Sequence, residues 1–131
     1  MIVVAAGVLV TALADDEEDG RALRARLLAD DDLHAPHLLD LEVAAVLRRL
    51  VVVERTLSAK RAEAALSDLG DLPITRYPHG PLLRRAWELR ENVRPSDASY
   101  VALAEALGAV LLTVDGRLSR APGLTCAVEL V

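Results

Sequence analysis

The chain has 131 residues, 53% of them hydrophobic and 27% charged, with a net charge of −5 at pH 7. That length and balance describe one compact folded domain, residues 1–131, and exclude a disordered chain. The acidic balance excludes a protein that holds nucleic acid on a generally basic surface while leaving room for a local basic groove. The single cysteine, Cys126, excludes both an intrachain disulfide and a Cys-rich zinc site.

The first ten residues, MIVVAAGVLV, carry no charge. They lack the basic start of a signal peptide and fall short of the ~20 apolar residues of a membrane span. The β-branched Ile2, Val3 and Val4, in a run apolar on both faces, predict a central strand of a parallel sheet covered by helices on both sides. A cytoplasmic, reducing setting with no membrane association is expected.

Next, DDEEDGRALRARLLAD predicts a helix behind an acidic loop, with Leu23, Leu27 and Leu28 on its apolar side. LHAPH is a short extended piece ahead of the helix LLDLEVAAVLRRLVVV, whose apolar stripe is expected to run through Leu38, Leu41, Ala45, Val46 and Leu50. SAKRAEAALSDLG predicts a third helix, capped by Ser58 and stopped at Gly70. LPITRY reads as a strand and PLLRRAWELREN as a helix begun by Pro81. PSDASYVALAEALG is a helix with Tyr100, Leu103 and Leu107 on one stripe and Gly108 as its stop. AVLLTVD is a buried strand ending in an acid, GRLSRA a helical turn and TCAVEL a last strand. Strands interspersed with helices predict an α/β fold of three layers, α/β/α, around a central parallel sheet.

Most of the 20 acidic residues fall in loops or on helix exteriors, but three fall elsewhere. Glu42 lies near the start of a helix between the apolar Leu41 and Val43, Asp97 opens a helix, and Asp115 ends a strand. In an open α/β sheet the carboxyl ends of strands and the following helix starts gather along one edge, where ligands bind. Taken singly, Asp97 is an ordinary helix-start acid and Asp115 an ordinary turn acid before Gly116. Taken jointly, three converging carboxylates repel by several kcal/mol per pair at about 4 Å and an effective dielectric of about 20. Mg²⁺ or Mn²⁺ relieves that repulsion, since these hard cations take carboxylate and water ligands.

MIVVAAGVLV, HAPHLLDLEVAAVLRRL and PSDASYVALAEALGAVLLTVDGRLSRAPGL together resemble the PIN-domain ribonucleases, in particular the VapC toxins of bacterial toxin–antitoxin pairs. The resemblance covers nearly the whole chain. It implies a PIN-like α/β/α fold and a four-acid site that binds Mg²⁺ or Mn²⁺ and hydrolyses single-stranded RNA, leaving 5′-phosphate and 3′-hydroxyl ends. It also implies a homodimer and a cognate antitoxin whose C-terminal segment enters the site. Position by position, Glu42 matches the helix acid, Asp97 the central metal ligand and Asp115 the strand-end acid, and Thr113 fits the usual pattern beside it. The fourth position departs: the family's first strand ends in aspartate, whereas this chain has Ala5, with Gly7 where Ser or Thr is frequent. A metal ligand is therefore missing, which implies an impaired nuclease. The intact trio favours a deliberate replacement of a native aspartate; Gly7 favours natural loss, which would leave a non-catalytic module that dimerises and binds an antitoxin.

His34, His37 and His79 have no zinc-binding spacing and read as structural or surface residues. Arg48 and Arg49 follow Glu42 by about two turns and are candidates to meet RNA phosphate or an antitoxin carboxylate, with a solvated helix face as the plain alternative. Arg84, Arg85, Arg90 and Arg94 carry the same two readings. Trp87 is expected in the core or a dimer contact rather than as a base-stacking platform, and Cys126 as a small buried hydrophobe.

Overall fold

β1 (Ile2–Val4) opens the chain, and the computed structural model, which describes residues 1–131, turns it directly into helix α1 (Ala6–Ala14). The long strand expected here is three residues, and the rest of the apolar run is a helix that buries Ala6, Val8, Leu9, Val10 and Ala12. A run apolar on all sides does not distinguish buried strand from buried helix. Ala and Leu, the strong helix formers, supply most of α1 after the β-branched Ile2–Val4 are passed. α1 has no charged side chain, and guanidinium groups from elsewhere satisfy its last carbonyls. Arg24 Nη1 donates to Ala12 O at 2.7 Å and Asp15 O at 2.8 Å, and Arg61 Nη2 donates to Leu13 O at 2.7 Å.

α2 (Glu18–Leu28) has Glu18 and Asp19 in its first turn and buries Leu23 and Leu27, while Leu28 stays exposed. Its Gly20 is required by contact, because a Cβ there would sit 1.8 Å from the Asp15 carbonyl oxygen. β2 (Leu33–Pro36) leads to α3 (Leu38–Arg48), which widens into a π-helical turn over Arg49–Val53. The buried stripe of α3 is Leu39, Val43 and Leu47 rather than the expected one, and Leu41 is 72% exposed. With apolar residues on most sides of this segment, periodicity alone allows several stripes; packing against α1 and β2 selects one.

α4 (Ala59–Asp71) is capped as expected, with Ser58 Oγ accepting from Arg61 N at 3.0 Å. It runs past Gly70, and the stop comes from Pro73, which holds Leu72 extended at φ −72°, ψ 135°. β3 (Ile74–Tyr77) is followed by a 3₁₀ turn at Gly80–Leu82 and the short α5 (Leu83–Glu88). α6 (Pro95–Leu107) starts at proline and ends at Gly108 in the left-handed conformation, φ 64°, as its sequence requires. β4 (Val110–Thr113), α7 (Gly116–Ser119) and β5 (Val128–Leu130) complete the chain.

The five strands form one parallel sheet in the order β3-β2-β1-β4-β5. α1 packs on α2, α3 and α4, whereas α5 packs on α6 and α6 on β1, β2 and β4. The sheet thus lies between two helical layers, as right-handed crossovers demand when strand order first runs outward from β1 and then returns to its other side. One hydrophobic cluster of 33 residues fills the interior, built almost wholly of Ala, Val and Leu. No helix is long and apolar enough to cross a membrane.

Candidate active site

The strand order reverses between β1 and β4, and in open α/β sheets the crevice at the carboxyl end of such a pair is where ligands bind. Here Val4 pairs with Leu112, so Ala5 and Thr113 emerge side by side. A cleft of about 400 Å³ opens there, lined by Ala5, Glu42, Asp97, Tyr100, Thr113 and Asp115 among others. The three carboxylates singled out from the sequence therefore share one cleft with Ala5.

Each carboxylate is held by one oxygen. Tyr100 Oη donates to Glu42 Oε1 at 2.6 Å, Arg94 Nη2 donates to Asp97 Oδ2 at 3.3 Å, and Asp115 Oδ1 accepts from the backbone N–H groups of Arg117 (2.8 Å) and Leu118 (3.4 Å). The second oxygen of each has no hydrogen bond, and no buried polar side-chain atom in the protein lacks a partner, so those oxygens are open to solvent. Thr113 holds the turn, its Oγ1 accepting from Asp115 N at 3.0 Å. Burial pushes the Glu42 carboxyl above its usual range; the Tyr100 hydrogen bond opposes this and the neighbouring Asp97 adds to it. Burial, then Glu42, keeps the Tyr100 phenol protonated far above the ordinary range.

Ala5 is both the residue after β1 and the N-cap of α1, at φ −76°, ψ 154°, with no side-chain cap. Gly7 lies close behind, and a Cβ on it would press on Val114 Cγ2 at 2.7 Å. Three carboxylates with free oxygens form a donor set of the right chemistry for a hard divalent cation. They are not drawn together, however: no three His, Cys, Asp or Glu side chains gather closely enough to hold an ion as they stand.

The other expected residues fall elsewhere. Arg48 and Arg49 are exposed and outside the cleft lining, and Arg49 Nε donates to Glu54 at 3.0 Å. Arg85 is committed to Glu105, with Nε to Oε2 at 2.6 Å, and Arg90 lies 4.8 Å over the Trp87 ring. Trp87 itself is 64% exposed and so is not a core residue. His34 is buried between Tyr77 Oη (2.7 Å) and Asp32 (2.8 Å), and His79 Nε2 accepts from Leu38 N, both structural. Cys126 is half-buried just ahead of β5, and burial raises its thiol. Tyr100 was legible only as a core residue, and Asn92 and Arg117, beside the cleft, gave no signal, since one exposed polar residue looks like another in sequence.

A PIN domain profile matches residues 2–124. The chain belongs to the PIN-domain family. Within it the chain is of the VapC type, being 48% identical over 130 residues to ribonuclease VapC1 of Mycobacterium tuberculosis, an alignment that covers 98% of this chain and 96% of that one. Among solved structures, a protein from Pyrobaculum aerophilum superposes with a TM-score of 0.72 at 25% identity, over 98% of this chain and 83% of that one. Mycobacterium tuberculosis VapC20, a sarcin-ricin loop cleaving toxin, superposes with a TM-score of 0.67 at 19% identity, over 95% of this chain and 97% of that one. The PIN-like three-layer fold expected from the sequence is the fold found.

Proposed function

We propose that this VapC-type PIN domain is an endoribonuclease toxin scaffold for single-stranded RNA, dependent on Mg²⁺ or Mn²⁺ and impaired by Ala5. The observation that supports this most is the meeting of Glu42, Asp97 and Asp115 at the β1/β4 switch point with Ala5 in the same lining. When bound, the cation would be held by oxygens of Asp97, Asp115 and Glu42 and would supply the positive charge that makes water nucleophilic and offsets charge on the phosphate. Glu42 is fixed through Oε1 by the Tyr100 hydroxyl, which leaves its other oxygen without a partner in the protein. Water forms the new bond to phosphorus and gives up a proton to solvent, in line with the 3′-oxygen, whose bond to phosphorus breaks and which takes up a proton from solvent, leaving 5′-phosphate and 3′-hydroxyl ends. Asp115 caps the start of α7 and Asp97 lies in the first turn of α6, so a helix start positions each.

The partners that go with this reading are a cognate antitoxin that covers the cleft and a second copy of the chain, in the cytoplasm. Leu83, 61% exposed, and Trp87 stand out on α5 and support the homodimer. The spacing of the carboxylates within the cleft, too wide to hold an ion as they stand, and the alanine at position 5 favour one second reading, a non-catalytic module that only binds antitoxin and its own copy. Cleavage assays separate the two. Ala5→Asp is expected to restore Mg²⁺-dependent cutting of single-stranded RNA, and Ala5→Asp with Asp97→Asn is expected to abolish it; an inert Ala5→Asp chain would favour the binding module.

A further inference from the structure

The cleft has two unlike walls. On the side of α1 and α3 it is lined by Ala6, Gly7, Ala45 and Val46, small and apolar. On the side of α6 and α7 it continues, past Arg94, Asp97 and Asp115, into a neighbouring lobe of about 260 Å³ bounded by Asn92, Arg94 and Arg117. Arg117 forms no ion pair, and its only hydrogen bond to Asp115 runs through the backbone. Arg94 is held only by the long 3.3 Å contact to Asp97 and is 79% exposed. Two guanidinium groups and an amide thus flank the acids on one side alone, and nothing basic lines the other.

We propose, resting on the ribonuclease reading above, that this second lobe is a phosphate subsite: Arg94 and Arg117, with Asn92 in the same lining, hold the phosphate next to the scissile one. The physical reason is charge. Three carboxylates repel a polyanion, and a divalent cation offsets that repulsion only where it sits, so the flanking phosphate needs a counter-charge of its own. Guanidinium groups supply it with directed N–H donors. The small-residue wall opposite leaves room for a base to lie against α1, where Ala5, Ala6 and Gly7 present almost no side chain. The RNA backbone then runs along α6 and α7 with its bases toward α1, in one orientation and not the reverse.

The test is equilibrium binding of a short labelled single-stranded RNA to the full Ala5 chain in Ca²⁺ buffer, measured by anisotropy across a salt series. Arg94→Ala and Arg117→Ala are each expected to weaken binding several-fold and to flatten the log–log salt slope by about 0.7, the double variant by about 1.4, as expected for one single-strand phosphate contact per arginine. Arg21→Ala, an exposed arginine on α2, is the control and leaves both unchanged. Circular dichroism melts establish that each variant is folded. If the chain binds RNA and the two arginine variants match the control, the subsite is wrong while the ribonuclease reading stands. If the unsubstituted chain does not bind RNA at all, both fall. If the variants lose antitoxin affinity but keep RNA affinity and slope, the lobe docks protein and the subsite is again overturned.

Discussion

Replacing Ala5 by aspartate sets two terms of opposite sign against each other, and the structure fixes where each acts. Ala5 is the N-cap of α1 with extended backbone angles, the geometry in which an aspartate oxygen accepts from the second or third N–H of the helix. Gaining that cap is worth about 1 kcal/mol, with a few tenths more from a negative charge at the helix start. Against it stand Glu42, Asp97 and Asp115 in the same cleft. At an effective dielectric of about 20 a fourth carboxylate costs about 2 kcal/mol for each acid that lies roughly 8 Å away, about 6 kcal/mol for three, and less where water fills the cleft. Without metal the repulsion therefore outweighs the cap, and the variant melts below the parent. A bound cation shifts the balance back. If the added oxygen ligand tightens Mg²⁺ binding tenfold, saturating Mg²⁺ stabilises the variant by about 1.4 kcal/mol more than the parent. For a domain of this size that is about 5 °C of additional metal-dependent rise in Tm. Thermal melts of both chains in EDTA and across an Mg²⁺ series read it directly. Equal metal-dependent shifts in the two chains would refute the placement of Ala5 at a ligand position.

Tyr100→Phe removes the donor to Glu42 in a half-buried setting and should cost about 1–2 kcal/mol in urea titrations. In the Ala5→Asp background it should also move the acid limb of the cleavage pH profile upward, because that hydrogen bond opposes the rise of the Glu42 carboxyl. Arg85→Ala strips the partner from Glu105, whose carboxylate is 11% exposed and also accepts from Thr125 N, and should cost about 2 kcal/mol near pH 7. Arg85 holds the Glu105 carboxyl below its ordinary 4.5, so the stability it lends is present above that value and lost as pH falls through the depressed one. The Arg85→Ala chain should therefore lose less stability than the parent between about pH 5 and pH 3. Gly20→Ala places a methyl group against the Asp15 carbonyl and should cost about 1–3 kcal/mol, seen as a lower urea midpoint at unchanged slope. Sedimentation should give twice the 14.1 kDa protomer mass, and Leu83→Asp with Trp87→Asp should return it to one; a parent chain that sediments as a monomer would remove α5 from any interface.

What the sequence made legible follows from which signals have one physical meaning. Ser58 and Gly108 were readable because an N-cap hydroxyl and a left-handed glycine each answer a defined backbone need, and both meet it. Gly70 misled because glycine is also tolerated within a helix, and Pro73 supplied the true stop. The apolar run after β1 and the stripe of α3 were ambiguous for one shared reason: where most residues are Ala, Val or Leu, burial leaves no contrast for periodicity to read. The acids were the reverse case. Glu42, Asp97 and Asp115 were identified by their positions at element ends, and those ends meet because a parallel sheet brings them to one edge. Arg94 and Arg117 became distinctive only once the fold set them on one wall of the cleft, beside the acids and away from Arg48 and Arg49.

The same geometry explains why the fold does not depend on the side chain at position 5. Ala5 joins the structure through its backbone: its N–H donates to Leu112 O at 3.0 Å, extending the β1/β4 ladder, and its C=O accepts from Val8 N at 3.2 Å, opening α1. Both bonds are independent of the side chain. The residue therefore closes the strand, starts the helix and places the cleft whatever its side chain, and its identity decides only what faces the three acids. Position 5 is thus free to vary in chemistry without varying in architecture, unlike Gly20, where contact with the Asp15 carbonyl leaves no room for even a methyl group. A cleft built at the junction of a strand end and a helix start keeps its shape whichever side chain stands at position 5, still lined by Glu42, Asp97 and Asp115.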